Sequence, residues 1–145
     1  MQLMRKELRN ILWPGLLVGG LVMAVFAGRH YAQTASNAAS SAEVIEQGRQ
    51  IYADQCASCH GAQLEGQPDW KTPLPSGRLP APPHDADGHT WHHPDEMLFG
   101  ITKEGLVPGK YGPPGYVSDM PVFGGALGDA DIAAVLSYIQ SRWSP

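Results

Sequence analysis

Cysteine is almost absent from this 145-residue chain: Cys56 and Cys59 are the whole complement, two residues apart. A pair that close encloses almost no loop, so disulfides do not frame the fold. Hydrophobic residues, at 43%, fall slightly short of a typical globular share, and part of them is concentrated near the N-terminus. No internal repeat and no stretch of convincing apolar–polar alternation occurs, which leaves no case for strands. Basic residues are few beyond the first 41 positions. Residues 42–145 carry 13 acidic and 6 basic side chains, a net of −7, which excludes nucleic acid as a partner. That acidity suits a partner with a basic docking face, and it equally serves solubility. What is plentiful is glycine (17) and proline (13), the composition of irregular coil wrapped around something that supplies its own core.

The N-terminal run reads as export. Arg5, Lys6 and Arg9 precede an uncharged stretch over residues 11–27, 17 positions in length. This is the lower bound for a membrane-spanning helix and slightly long for a signal-peptide core. Trp13 suits the membrane interface, and Pro14 lies near the start, where a helix tolerates it. Residues 1–27 are therefore expected to be an uncleaved transmembrane anchor, the alternative being a signal segment removed after Val25-Phe26-Ala27. Residues 28–41, rich in Ala, Ser, Asn, Gln and Thr, have nothing to bury and read as a flexible tether. Residues 42–145 form the folded domain.

Three helices are expected in that domain. Ser40 and Glu43 make a capping box, and Val44, Ile45, Gly48, Ile51 and Tyr52 follow at helical spacing, predicting a helix over about 42–55. Gly48 in its middle costs about 1 kcal/mol relative to Ala, a cost that close approach of another helix would offset. Residues 68–83 hold six prolines and exclude both helix and central strand, leaving an extended wrap. His93-Pro94-Asp95-Glu96 predicts a second helix with Pro94 at its first position, Met97, Leu98 and Ile101 as its apolar stripe and Gly105 as its end. A Gly/Pro-rich loop over 107–125 leads to the third, in which Asp129 and Asp131 open the first turn and Ile132, Val135, Leu136, Ile139 and Trp143 recur on one face.

The chemistry is concentrated in Cys56-Ala57-Ser58-Cys59-His60. In this pentapeptide each thiol can add to one haem vinyl group, and the histidine that follows lies over the iron. A redox dithiol would need a βαβ context. A zinc site completed by His89 and His93 would need a much shorter separation than 29 residues from Cys59 to His89. A haem that only transfers electrons takes two strong axial ligands. Met120, in the loop before the last helix, is the candidate for the second, with gap-filling as the bland alternative; Met97 fits a core position better.

In order along the chain stand an N-terminal helix with Gly48 and Tyr52, then Cys56-Ala57-Ser58-Cys59-His60-Gly61, a proline-rich wrap and a middle helix. A Met120-Pro121-Val122-Phe123 loop and a C-terminal helix with Val135-Leu136 and Tyr138-Ile139 complete it. Over residues 43–143 the chain thus resembles the class I, mono-haem c-type cytochromes. The resemblance implies an all-α, cytochrome c-like helical domain around one covalent haem c, preceded here by the N-terminal transmembrane or signal helix. It implies that Cys56 and Cys59 bind the haem and that His60 and Met120 are the iron ligands. The first and last helices are expected to cross at Gly48, and a carbonyl of Pro80, Pro82 or Pro83 to orient the imidazole of His60. One departure is the cluster His84, His89, His92 and His93, either a second metal site, copper for instance, or scattered surface histidines. Trp91, Tyr111 and Tyr116 are candidates for haem-propionate donors, or for packing.

These readings point to a one-electron carrier rather than an enzyme, on the periplasmic side of a bacterial inner membrane, tethered or soluble after cleavage. Its donor would be a dehydrogenase or quinol-oxidising complex and its acceptor an oxidase. The alternative is a fixed haem c subunit of a larger respiratory or dehydrogenase complex. A haem enzyme or sensor would need an open iron position, which Met120 argues against.

Overall fold

The computed structural model describes residues 2–143, with side chains from Met23 onward except at 35 and 37–39. The chain divides into two compact units, Met1–Ser41 and Ala42–Pro145. Helix α1 runs Gln2–Gln55. It does not start at Ala42, and the Ser40–Glu43 pair does not cap a helix end. Residues 28–41 contain no proline and are rich in alanine, so nothing interrupts the hydrogen-bonded turns, and the segment expected as flexible coil is helical. Its described side chains are all exposed, consistent with a sequence that has nothing to bury. Most of the expected anchor, residues 1–22, falls outside the described side chains; within 23–27, Met23, Val25 and Phe26 are exposed. Among the described residues no helix is long and apolar enough to cross a membrane.

The second unit is helical with long irregular connections. After α1 come a short turn of helix, α2 (Ala57–His60), then α3 (Asp95–Glu104) and α4 (Asp129–Gln140), with a single 3-10 turn at Thr90–His92. Among the described residues there is no strand, only an isolated bridge between Pro108 and Gly112. Pro94 caps α3 in extended conformation rather than occupying its first turn, and Asp95 and Glu96 fill that turn, where carboxylates suit the helix dipole. Gly105 ends it with φ 81°, donating its N–H to the Ile101 carbonyl at 2.9 Å. The buried face of α3 is Leu98, Gly100 and Thr102, whereas Met97 and Ile101 are half-buried. At the start of α4 the Asp131 carboxylate accepts the Gly128 N–H at 3.1 Å, and glycine has no side chain to return the bond.

The core gathers Tyr52, Leu64, Leu98, Ile132, Val135, Leu136 and Ile139, with Trp143 packed against it. From the α1 stripe, Gly48 and Tyr52 are buried, Ile45 and Ile51 half-buried, and Val44 exposed. Helices α1 and α4 meet at Gly48. A Cβ there would collide with the backbone carbonyl of Ala134 and come within 2.9 Å of the Tyr138 Cβ. One turn on, the Tyr52 ring packs on Tyr138 with centroids 5.4 Å apart. The cost of a mid-helix glycine is thus offset by backbone proximity that no other residue permits.

Gly48→Val is therefore expected to destabilise the haem-loaded domain. Helix propensity alone slightly favours valine, while overpacking costs about 1–3 kcal/mol. For a domain of this size that lowers the melting midpoint by roughly 4–8 °C per kcal/mol. A thermal melt checks it, and an unchanged or raised midpoint would contradict the crossing.

Candidate functional site

The Cys56–His60 turn grows directly out of α1. Cys56 donates its N–H to the Tyr52 carbonyl at 2.9 Å, continuing the helix, and His60 returns its N–H to Cys56 O at 2.9 Å. Gly61, at φ 81°, then turns the chain away. The Tyr52 hydroxyl, buried beneath the turn, reaches the carbonyls of His60 (3.3 Å) and Gly61 (3.1 Å). Both thiols are free, Cys56 half-buried and Cys59 exposed. Burial, and secondarily the neighbouring Cys59, pushes the Cys56 thiol up to about 11, so it stays protonated at neutral pH.

His60 is buried, and its Nδ1 lies 2.8 Å from the Pro82 carbonyl. The carbonyl can only accept, so Nδ1 carries the proton and Nε2 keeps its lone pair. Burial pulls the His60 pKa down and the bond to Pro82 pulls it up; burial wins, and the ring is neutral near pH 7. Of the three prolines expected from the sequence, Pro82 is thus the one that orients the imidazole. The wrap is brought to His60 by a short zipper of hydrogen bonds: Gly66 N–H to His60 O at 2.7 Å, Gln67 N–H to Ala81 O at 2.9 Å and His84 N–H to Leu64 O at 2.8 Å. Gly66, at φ 70°, allows it, because a Cβ there would strike the Pro82–Pro83 backbone.

Met120 comes from a separate segment and is half-buried, its N–H donating to Ser118 Oγ at 3.0 Å. Its neighbour Asp119 pairs with Arg78 of the wrap. Beyond it, Phe123 is buried and donates its N–H to Thr102 O at 3.2 Å, and Gly124 donates to Lys103 O at 2.9 Å. The loop is therefore tied to the proline wrap on one side and to α3 on the other.

The four histidines between 84 and 93 do not act as one group. His84 lies against His60, the rings stacked with centroids 3.8 Å apart and planes 16° from parallel. Burial first, then His60 and His89, push it down to about 3, so it too is neutral. Its Nδ1 is buried with no hydrogen-bond partner, as is that of His89, each a cost of about 1–3 kcal/mol. His89 instead stacks on Trp70 at 5.3 Å and meets His92 and His93 edge-on. Among the described residues no three His, Cys, Asp or Glu side chains are placed to hold a metal ion, so the copper reading gains no support. The indole of Trp91 is spent on the Gly88 carbonyl at 3.2 Å, and the Tyr111 hydroxyl packs over Gly100. The stack of His84 on His60 was not foreseen from sequence. Its signal was faint: a histidine two residues after the proline that serves His60.

This donor set fits a covalently bound haem: two unpaired thiols on adjacent turns, one protonated by burial, and a neutral imidazole with its free nitrogen fixed by a backbone carbonyl. The comparisons agree. The family model for cytochrome c matches residues 45–143. The chain is 29% identical over 99 residues to the gluconate 2-dehydrogenase cytochrome c subunit of Pantoea cypripedii, covering 66% of this chain and 20% of that protein. It is 32% identical over 104 residues to thiosulfate dehydrogenase of Stutzerimonas stutzeri, covering 70% of this chain and 28% of that protein. It is 42% identical over 43 residues to the cbb3-type cytochrome c oxidase subunit FixP of Sinorhizobium medicae, covering 30% of this chain and 15% of that protein. These alignments thus span less than a third of each relative. No solved structure matches the chain significantly. With the family pattern covering 45–143 and the cysteine pair and histidine in place within it, the chain belongs to the cytochrome c family, whose cofactor is covalent haem c.

Proposed function

We propose that the domain moves single electrons through one haem c joined by thioethers to Cys56 and Cys59, with His60 and Met120 as the axial ligands of its iron. The bond from His60 Nδ1 to Pro82 O, at 2.8 Å, carries the reading. It fixes the tautomer, restrains the ring at one edge and raises the basicity of Nε2, all of which a ligand to a metal needs. When bound, the haem supplies an iron that cycles between ferric and ferrous. The chain's own residues do the rest. Cys56 and Cys59 would hold the macrocycle, and Tyr52 supports the turn that carries them. The Met120 thioether favours the reduced iron and raises the potential. Two strong ligands would leave no open position for a substrate, which favours a carrier over an enzyme.

The electron partners follow from charge and kinship. A domain with a net of −7 suits a partner with a basic docking face. Its relatives are named as a dehydrogenase cytochrome subunit, a dehydrogenase and an oxidase subunit. We place the domain between a dehydrogenase or quinol-oxidising complex as donor and an oxidase as acceptor, on the periplasmic side of the inner membrane. The basic flank Arg5, Lys6 and Arg9 before the uncharged run at 11–27 supports an N-terminal anchor. The same relatives support a second reading, a haem c subunit held permanently in a larger complex.

Two experiments test this. Oxidised wild-type protein is expected to be low-spin and to show the weak red-edge absorption of iron–thioether charge transfer; Met120→Ala should abolish it and let carbon monoxide bind the reduced protein. Loss of the band in His93→Ala with no change in Met120→Ala would show that the second ligand is misassigned. For the anchor, protein from membranes washed at alkaline pH should have an intact mass that includes residues 1–27, and after detergent extraction it should run alone. A mass beginning at Gly28 would contradict the anchor, and stable company of other subunits would favour the fixed-subunit reading.

A further inference from the structure

The stack of His84 on His60 is unlike the other aromatic contacts around it. Tyr52 meets His84 edge-on at 66°, and the rings of His89, His92 and His93 meet one another at 63–79°. His89 lies parallel to Trp70 at 5.3 Å, but among the described residues only His84 and His60 are stacked at van der Waals separation, 3.8 Å between centroids and 16° from parallel. The residue is also held from three sides. Its N–H donates to Leu64 O at 2.8 Å, its carbonyl accepts the Trp143 indole N–H at 2.9 Å, and Tyr52 packs against the ring edge at 5.9 Å. None of these bonds uses the imidazole nitrogens, and Nδ1 has no partner at all. What the side chain turns toward His60 is the flat face of its ring.

We infer that His84 is a positioning residue for the haem ligand: its ring face sets the plane of the His60 imidazole. The inference rests on His60 being the ligand. A ring joined to the backbone through Cβ has two rotations to be fixed. The bond from Nδ1 to Pro82 O lies in the ring plane and limits how far the ring can swing, and it acts at one edge. A parallel surface against one face limits rotation about the Cβ–Cγ bond, which an edge contact controls poorly. Pro82 and His84 sit two residues apart on the same extended wrap, so the zipper to residues 64–67 delivers both constraints at once. The consequence is electronic. The plane of an axial imidazole decides which iron d orbital it overlaps, and hence the splitting that orders the unpaired electron of the ferric state. The protein's lever is the orientation of a ligand by a neighbouring group.

The test compares the haem-loaded full chain with His84→Leu, which keeps bulk but removes the flat face, and with His84→Phe, which keeps the face but removes both nitrogens. Readouts are the g values of the oxidised protein by electron paramagnetic resonance and the pattern of haem-methyl shifts by proton nuclear magnetic resonance. His84→Leu is expected to shift the largest g value and reorder the methyl shifts, and His84→Phe to retain the wild-type pattern. Wild-type spectra from the Leu variant would overturn the inference, since bulk alone would suffice. A Phe variant altered as much as the Leu variant would also overturn it, by assigning the effect to a nitrogen instead. Should the Leu variant fail to hold haem, the Phe variant decides: a retained pattern supports the role of the face, and a changed one refutes it. A wild-type protein with no low-spin signal would overturn both this inference and the ligand assignment, whereas the variant comparisons bear on the positioning role alone.

Discussion

At Gly48 the backbone of α1 comes so near the Ala134 carbonyl that no Cβ fits between them, and the geometry of the domain follows from that approach. It joins segments about ninety residues apart in sequence, and the closure entropy of so long a loop has to be offset by burial. Ile132, Val135, Leu136 and Ile139 of α4, together with Tyr52, supply it: each is less than a tenth exposed, and burying such a side chain is worth about 1.5–3 kcal/mol. Because Tyr52 is locked between the helices, its hydroxyl can hold the His60 and Gly61 carbonyls, and the Cys56–His60 turn emerges at a defined place. The functional turn is positioned by the packing of the helix before it.

A second set of ties brings the wrap to that turn. Its backbone hydrogen bonds contribute about 0.5–1.5 kcal/mol each, and its prolines lose little freedom on folding. The exposed ion pairs add little stability on their own; Arg78 with Asp119 ties the Met120 loop to the wrap, and Lys103 with Asp129 ties α3 to the start of α4. The segments that carry His60 and Met120, from opposite halves of the chain, are thus both tied to the same wrap.

How much of this was legible depended on whether the determinants were local. Cys56-Ala57-Ser58-Cys59-His60 is a contiguous pattern, and the period of Ile132, Val135, Leu136 and Ile139 shows its buried face at once. Gly48 was legible because an unexplained cost inside a helix demands a neighbour. The start of α1 was not: the Ser40–Glu43 pattern marks a cap only where the chain before it cannot be helical, and the alanine-rich segment can. Pro82 was one of three equivalent candidates until the pairing of Gln67 with Ala81 set the register. His84 looked like one of four clustered histidines. Its separation from the other three arises from the turn over 85–88, in which the Asp85 carboxylate accepts the Asp87 N–H at 2.9 Å, a detail that composition does not reveal. The role of Met120 rests on family kinship and on its place in the loop.

The central claim is that the thiols of Cys56 and Cys59 carry the haem, and one mass measurement addresses it. Tryptic cleavage of the haem-loaded, denatured protein after Arg49 and Lys71 should release a single peptide, residues 50–71, that contains both cysteines and His60. That peptide is expected to be heavier than its sequence by the mass of one haem and to resist thiol alkylation at both positions. A peptide of unmodified mass with two alkylatable thiols, from protein that nonetheless binds haem, would contradict the covalent attachment and with it the assignment of this turn.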